Sequence, residues 1–154
     1  MNDAVALQRQ IDDLRRVVDY LTAQQEPNQE LSTASSPTFA NIYSGTYTPT
    51  LTNTTNIDAS TAFLSQYFRV GSVVLVSSRV EVDATAAANT VLGISLPIAS
   101  NFGANRDCSG TGNRGAGGAG EVRANTTSDI AEFSFTATTT ANAAYYLIFA
   151  YLII

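Results

Sequence analysis

The sequence predicts an N-terminal α-helical coiled coil followed by an all-β, jelly-roll-like sandwich, and we expect the chain to form a homotrimer. Near the N-terminus, apolar residues recur three and four positions apart. Farther along, short runs rich in Val, Thr and aromatic residues alternate with turn residues, and the last run is apolar on both faces. These observations divide the chain into a coil over 1–25, a linker over 26–41 and a β-sandwich domain over 42–154.

The coiled coil is predicted from one heptad stripe near the N-terminus. Its members, which we expect to be oligomerisation residues, are Ala4, Leu7, Ile11, Leu14, Val18 and Leu21. Their order favours two helices, whereas Val17 widens the apolar face and favours more, so dimer and trimer both stay open and we expect three chains. The alternative is an amphipathic helix that folds back on its own domain.

The linker and the β-domain are separated by a change in pattern at Ile42. Residues 26–41 are rich in Pro, Ser, Thr and Asn and show no periodicity, which is typical of a linker. After Ile42 the clearest element is a hairpin that turns at Gly71–Ser72. Its second strand is expected to bury Val74, Val76, Val80 and Val82. Further strands are predicted over 43–51, 90–96, 120–124, 130–137 and 145–154. Roughly seven or eight strands favour a sandwich or jelly roll.

The last predicted strand has a second apolar face. Tyr145, Leu147, Phe149, Tyr151 and Ile153 fall on one side, and the other side carries Tyr146, Ile148, Leu152 and Ile154. In a two-layer sandwich one face of a strand normally meets water. We therefore expect these last four residues to be oligomerisation residues, covered by a neighbouring subunit.

Composition argues against most enzymatic and nucleic-acid functions. The chain has no histidine, all its basic residues are Arg, and its net charge is −5. It therefore lacks the usual general base and the clustered cations that bind phosphate. We expect no catalytic residue, metal, cofactor or nucleic-acid partner, and a buried, inert Cys108. A glycosidase that uses two of the acids Asp58, Glu81, Asp83, Glu121, Asp129 and Glu132 is the disfavoured alternative. The apolar segment 143–154 is too short to span a membrane, and no signal peptide is evident, so we expect assembly in the cytoplasm.

Residues 103–120 are predicted to form a long loop between strands. The segment GTGNRGAGGAG contains G-x-G-x-x-G twice, but no helical periodicity follows it, so it does not predict a dinucleotide site. The candidate partner-binding residues of this loop are Asn105, Arg106, Asp107, Asn113 and Arg114. They would contact a partner or a carbohydrate, and a simply solvated loop is the alternative.

Three segments of the sequence resemble tail fibres and head fibres of tailed bacteriophages. They are SPTFANIYSGTYTPTLTNTTN, QYFRVGSVVLVSSRVEVD and TVLGISLPIASNF. In that family, a tyrosine, an aromatic residue or methionine, a basic residue and Val-Gly precede alternating valines. The resemblance covers about residues 36–154. It implies a trimer of β-sandwich domains on the virion, with the N-terminal helix docked to another virion protein.

The resemblance leads to two functional expectations. The first is a short trimeric tail fibre whose C-terminal β-sandwich recognises a host-surface glycan or outer-membrane component. The second is a trimeric capsid decoration, cement or head-fibre protein on the phage head, because the chain has no extended shaft repeats. Either protein is expected on the virion, at the tail or capsid surface, after assembly in the host cytoplasm.

Overall fold

The computed structural model describes residues 2–24, 42–115 and 118–154, and for residues 2–4 and 21–24 it describes only the backbone. The chain divides into two units, Met1–Phe39 and Ala40–Ile154. The predicted linker over 26–41 lies outside the described residues.

The described part of the first unit is the helix α1, which spans Asn2–Gln24. Its bounds agree with the predicted helix. Every described side chain between residues 5 and 20 is exposed, including those of the apolar stripe. Gln8 Nε2 donates to Asp12 Oδ1 over 3.1 Å, one helical turn away, on the polar surface. A lone chain therefore leaves the stripe of α1 in contact with solvent.

The second unit is a single antiparallel sheet that curls around one core. Its strands are β1 Ile42–Tyr47, β2 Leu51–Thr55, β3 Ile57–Ala62, β4 Ser65–Val70, β5 Val73–Ala84, β6 Asn89–Ile94, β7 Cys108–Asn113, β8 Ala119–Asn125, β9 Ile130–Thr136 and β10 Ala143–Leu152. The strand order is β1-β4-β5-β10-β7-β8-β9-β6-β2. Strand β3 pairs with the same edge of β5 as β4 does, but farther along that strand. The coarse prediction of a helix followed by an all-β fold is therefore confirmed.

A sharp corner between β2 and β3 connects two parts of the sheet that are far apart in the strand order. These consecutive strands pair with opposite parts of the sheet, β2 with β6 and β3 with β5. Asn56 lies between them with φ of 59°, a left-handed conformation that asparagine tolerates better than most residues. Its Nδ2 donates to Ala86 O over 2.9 Å and to Thr90 Oγ1 over 2.8 Å. This corner returns the chain from one end of the sheet to β5.

The core consists of inward-facing residues from most strands. The predicted core face of β5 is confirmed, because Val74, Val76, Val80 and Val82 are all buried. Phe133 and Phe135 of β9 stack at 4.8 Å, and the Tyr145 ring of β10 packs against both. Aromatic pairs of this kind stabilise a core beyond the burial of their area.

The predicted hairpin between β4 and β5 is also confirmed. Val70 pairs with Val73 across the two-residue turn, and Gly71 has φ of 58°. Glycine adopts this conformation without the steric cost that other residues meet. The turn therefore fixes the register in which the two strands present their side chains.

Two parts of the strand prediction are wrong. The Thr-rich strand β2 and the strand β3 were not predicted, because their polar and small residues hide the alternation on which strand prediction depends. The predicted long loop over 103–120 instead contains a short 3-10 helix, η1 Asn105–Asp107, all of β7 and the start of β8. Glycines in β7 disfavour a strand by propensity, but they fit this one because Phe149 lies directly against Gly110, and Leu147 and the Phe133 ring lie directly against Gly112.

Candidate functional site

The last strand alternates between a buried face and an exposed apolar face. Tyr145, Leu147, Phe149 and Tyr151 of β10 are buried. Tyr146, Ile148 and Leu152, between them, are 59%, 50% and 43% exposed. The sequence had placed the same residues on two faces, and a lone chain leaves the second face uncovered.

Leu152 and Ala150 of β10 lie directly opposite apolar residues of β5, whereas Ile148 and Tyr146 lie opposite Ser77 and Arg79. Directly paired residues of an antiparallel sheet share a face. One row across β1, β4, β5 and β10 consists of Ile42, Val70, Val73 and Leu152. The next row contains Phe68, Leu75 and Ala150. We call this set the outer apolar face: Ile42, Phe68, Val70, Val73, Leu75, Tyr146, Ile148, Ala150 and Leu152.

The outer surface of the sheet changes character at β7. Thr111 of β7 is the direct partner of Ile148, and beyond it lie Glu121 of β8 and Ser134 of β9. The adjacent row runs through Arg123 and Glu132, which are paired across the same strands. Charged and hydroxyl side chains therefore cover the outside of β7, β8 and β9. The outer apolar face is consequently confined to one half of the sheet.

The outer apolar face is a patch of moderate size. Its nine residues, each covering about 4.8 Å by 6.8 Å of one side of the sheet, span about 300 Å². Patches of several hundred Å² on soluble proteins usually mark contact surfaces. A standard interface buries about 800 Å² on each partner, with an apolar centre and a polar rim. The outer apolar face therefore has the size and composition of an interface centre.

An open hollow lies on the β1 side of this surface. It has a volume of about 490 Å³, and its lining includes Ser44, Thr46, Gln66, Phe68, Leu75 and Ser77. These side chains offer hydroxyl and amide groups beside one aromatic ring, and none of them carries a charge. The hollow therefore has no carboxylate or amine in these side chains for acid–base chemistry.

The candidate partner-binding residues do not form one site. Asn105, Arg106 and Asp107 make up η1, whereas Asn113 ends β7 and Arg114 begins the turn after it. The two groups lie at opposite ends of β7, about 20 Å apart at 3.4 Å per residue. The expected single binding loop is therefore wrong, because a strand separates its parts.

Two of these residues also have structural roles. The Asp107 carboxylate accepts hydrogen bonds from the backbone N–H groups of Gly103, over 2.9 Å, and Ala104, over 2.7 Å. The Arg114 N–H donates to Gly118 O over 3.0 Å, which closes the turn between β7 and β8. These contacts order the chain locally without a ligand.

The oligomerisation residues predicted on α1 are exposed where their side chains are described. Leu7, Ile11, Leu14 and Val18 are between 37% and 64% exposed. Ala4 and Leu21 lie on the helix, but their side chains are outside the described part. The coiled coil stays a prediction, and the apolar stripe that motivates it faces outward.

Most of the predicted acids have local partners. Glu81 lies 2.5 Å from the Arg79 guanidinium and accepts from Asn142 Nδ2 over 3.2 Å. Glu132 accepts from Asn125 Nδ2, and Asp129 accepts from the Phe102 N–H, each over 2.8 Å. Within residues 2–24, 42–115 and 118–154, no group of three or more His, Cys, Asp or Glu side chains is arranged to hold a metal ion.

The thiol of Cys108 is buried, as the sequence predicted. Burial raises its pKa to about 12, because the interior disfavours the thiolate. A thiol that stays protonated is a poor nucleophile.

Among the described helices, none has the length and apolar character needed to cross a membrane.

Part of the outer apolar face could have been predicted from the sequence. The segment QYFRVGSVVLV is apolar in both alternating phases around the turn, as the last strand is. Phe68, Val70, Val73 and Leu75 occupy the phase that faces outward.

Comparison with models of known protein families, with curated proteins and with solved structures finds no match.

Proposed function

We propose that this chain is a subunit of a homotrimeric, non-enzymatic structural protein of a virion. The outer apolar face carries the proposal, because about 300 Å² of apolar sheet in contact with water is costly at roughly 25 cal/mol per Å². Sister copies are the partner that best explains it, since the same chain also presents an apolar stripe on α1. One self-association covers both surfaces.

Three chains fit this arrangement better than two. The stripe on α1 is widened by Val17, which is 53% exposed, and a wider apolar face suits more than two helices. A short coil is marginally stable by itself, so the β-domain contributes to the choice of subunit number. In the trimer, a jelly-roll-like sandwich from each chain turns its outer apolar face toward the other two.

The tail-fibre role is supported by the resemblance of residues 36–154 to phage fibre segments. In this role the N-terminal helix docks to another virion protein, and the C-terminal sandwich recognises a host-surface glycan or outer-membrane component. The second candidate is a decoration, cement or head-fibre protein on the capsid. It is favoured by the sequence, because the segment 25–41 between α1 and β1 is too short to hold extended shaft repeats.

The subunit contact can be tested with one charged substitution in the outer apolar face. Ile148→Asp places a carboxylate in the proposed interface, where desolvation without a partner is costly. We expect the full-length wild-type protein to have the mass of three chains at micromolar concentration by light scattering, and the variant to have the mass of one folded chain. Thr136→Asp is the matched control, because Thr136 is exposed at the end of β9, outside the outer apolar face. A trimeric Ile148→Asp protein would contradict the proposed contact.

The two locations on the virion are separated by labelling. Gold-conjugated antibodies against the protein should mark the tail of intact particles if it is a fibre. Label over the head would instead favour the decoration protein, and particles without label at either place would overturn both roles.

A further inference from the structure

Strand β1 is an open edge of the described sheet, and its sequence lacks the charges, proline and bulge that often protect such an edge. Among the described strands, only β4 pairs with β1, which ends the strand order. The sequence IYSGTY contains no charge and no proline, and its register with β4 is continuous, without a bulge. Natural edges are usually blocked by one of these devices. The strand at the other end of the order, β2, has a register shift between Asn53 and Thr55.

The register identifies the backbone groups that point away from the sheet. Val70 and Val73 flank a two-residue turn, so their backbone groups face each other across β4 and β5. Successive residues of a strand point their N–H and C=O groups to opposite sides. Arg69 therefore faces β1, where it pairs with Tyr43. The backbone groups of Ser44 and Thr46 consequently point to the open side.

No described residue makes a hydrogen bond with these outward groups of Ser44 and Thr46. The side chains of the same two residues lie on the outer side of the sheet, in line with Phe68 and Gln66. Ile42, at the start of β1, belongs to the outer apolar face. The open edge is therefore the continuous rim of the surface proposed to contact sister subunits.

We infer that the open edge of β1 pairs with an extended strand of a neighbouring copy of this chain. The inference rests on the proposed self-association: a copy that covers the outer apolar face reaches its rim at β1, where the outward N–H and C=O groups of Ser44 and Thr46 have no hydrogen-bond partner among the described residues. Strand addition of this kind supplies main-chain hydrogen bonds, while side chains on the shared face supply selectivity. The uncharged edge also lets two copies approach without like-charge repulsion.

The experiment removes one outward N–H while leaving the fold of the subunit possible. Ser44→Pro deletes the donor, and proline is tolerated on an edge strand where its nitrogen faces away from the sheet. Ser44→Val is the matched control, since it is apolar and similar in size but keeps the N–H. We expect Ser44→Pro to have the circular dichroism of the folded subunit and the mass of one chain at micromolar concentration, and Ser44→Val to remain assembled.

The outcome separates this inference from the proposed function. If Ser44→Pro stays assembled while Ile148→Asp dissociates, the contact through the outer apolar face stands and the pairing of β1 is wrong. If both variants stay assembled, both ideas are wrong.

Hydrogen exchange gives a second readout that does not depend on the proline variant folding. The amides of Ser44 and Thr46 should exchange slowly in the assembled wild-type protein and quickly in the Ile148→Asp monomer. Fast exchange of both amides in the assembled protein would overturn the inference.

Discussion

At the scale of single residues, Gly112 shows how a position without a side chain lets two packed layers meet. It lies in β7, paired with Leu147 of β10 and Gly120 of β8. A Cβ atom at Gly112 would overlap the Leu147 side chain and the Phe133 ring. The side chains around it fill the space that a larger residue would need. The glycine is therefore required by packing and not by backbone conformation.

Gly112→Ala should lower the free energy of unfolding. Forcing one extra carbon into a packed core costs about 1–3 kcal/mol, so we expect a loss of that size in urea unfolding followed by circular dichroism. Gly115→Ala is the control, because nothing lies within 4 Å of a Cβ at Gly115. An unchanged midpoint for Gly112→Ala would mean that the surrounding rings yield easily.

The sequence predicted individual residues well where alternation was strict. The buried valines of β5 and the buried Cys108 are confirmed. Asn105 and Arg114 were grouped because they are close in sequence, yet η1 and the β7–β8 turn hold them apart. Sequence distance predicts spatial distance only within one element, because a strand carries the chain about 3.4 Å per residue.

At the scale of elements, α1 is the part of the chain that depends most on a partner. An isolated helix of 23 residues with an exposed apolar stripe gains little from its own side chains. Leu14 is 64% exposed in the lone chain and sits at the centre of the stripe. We expect burial against sister helices to supply most of the stability of α1.

Leu14→Asp should therefore unfold the helix in the full-length protein. The free-energy cost of burying a carboxylate in the apolar stripe exceeds the stabilisation that the short coil provides. The helical part of the far-ultraviolet circular dichroism should therefore be lost. Ala6→Asp adds the same charge at an exposed position outside the stripe and should keep the helical signal. If Leu14→Asp retains the wild-type helical signal, the helix does not need a partner.

Strand prediction failed where the residues of a strand have low β-propensity or lack apolar alternation. Glycines made β7 resemble a loop, threonines made β2 resemble a linker, and small and polar residues did the same for β3. Each of these strands forms because its neighbours in the sheet provide hydrogen bonds and packing. Such support comes from distant segments, so a local pattern does not contain it.

At the scale of the whole molecule, the titratable groups buried in the core predict a loss of stability in alkali. Burial raises the pKa of Cys108 from 9.0 to about 12 and that of Tyr151 from 10.0 to about 12. The folded state thus holds protons that the unfolded state releases. Stability is full below the unfolded pKa values and falls as the pH rises above about 9.

Urea unfolding at a series of pH values between 8 and 11 measures this effect. The free energy of unfolding should decline above about pH 9. Cys108→Ala should make the decline shallower, because it removes one of the buried acids, and comparing slopes cancels the small cavity it leaves. A constant free energy up to pH 11 would count against buried, protonated groups.

The sequence by itself determined the pattern of apolar and polar residues within single elements. It indicated a helix with one apolar stripe, a hairpin at Gly71, a valine core face and a last strand with two apolar faces. Alternation is local, since it follows from the geometry of one helix or one strand. Only the tertiary structure decided which strands are neighbours. Placing β10 between β5 and β7 joins Ala150 and Leu152 to Leu75 and Val73 of β5 on one side, and the apolar surface ends at β7 on the other. Pairing across strands depends on contacts between distant segments, and the outer apolar face exists only after those contacts form.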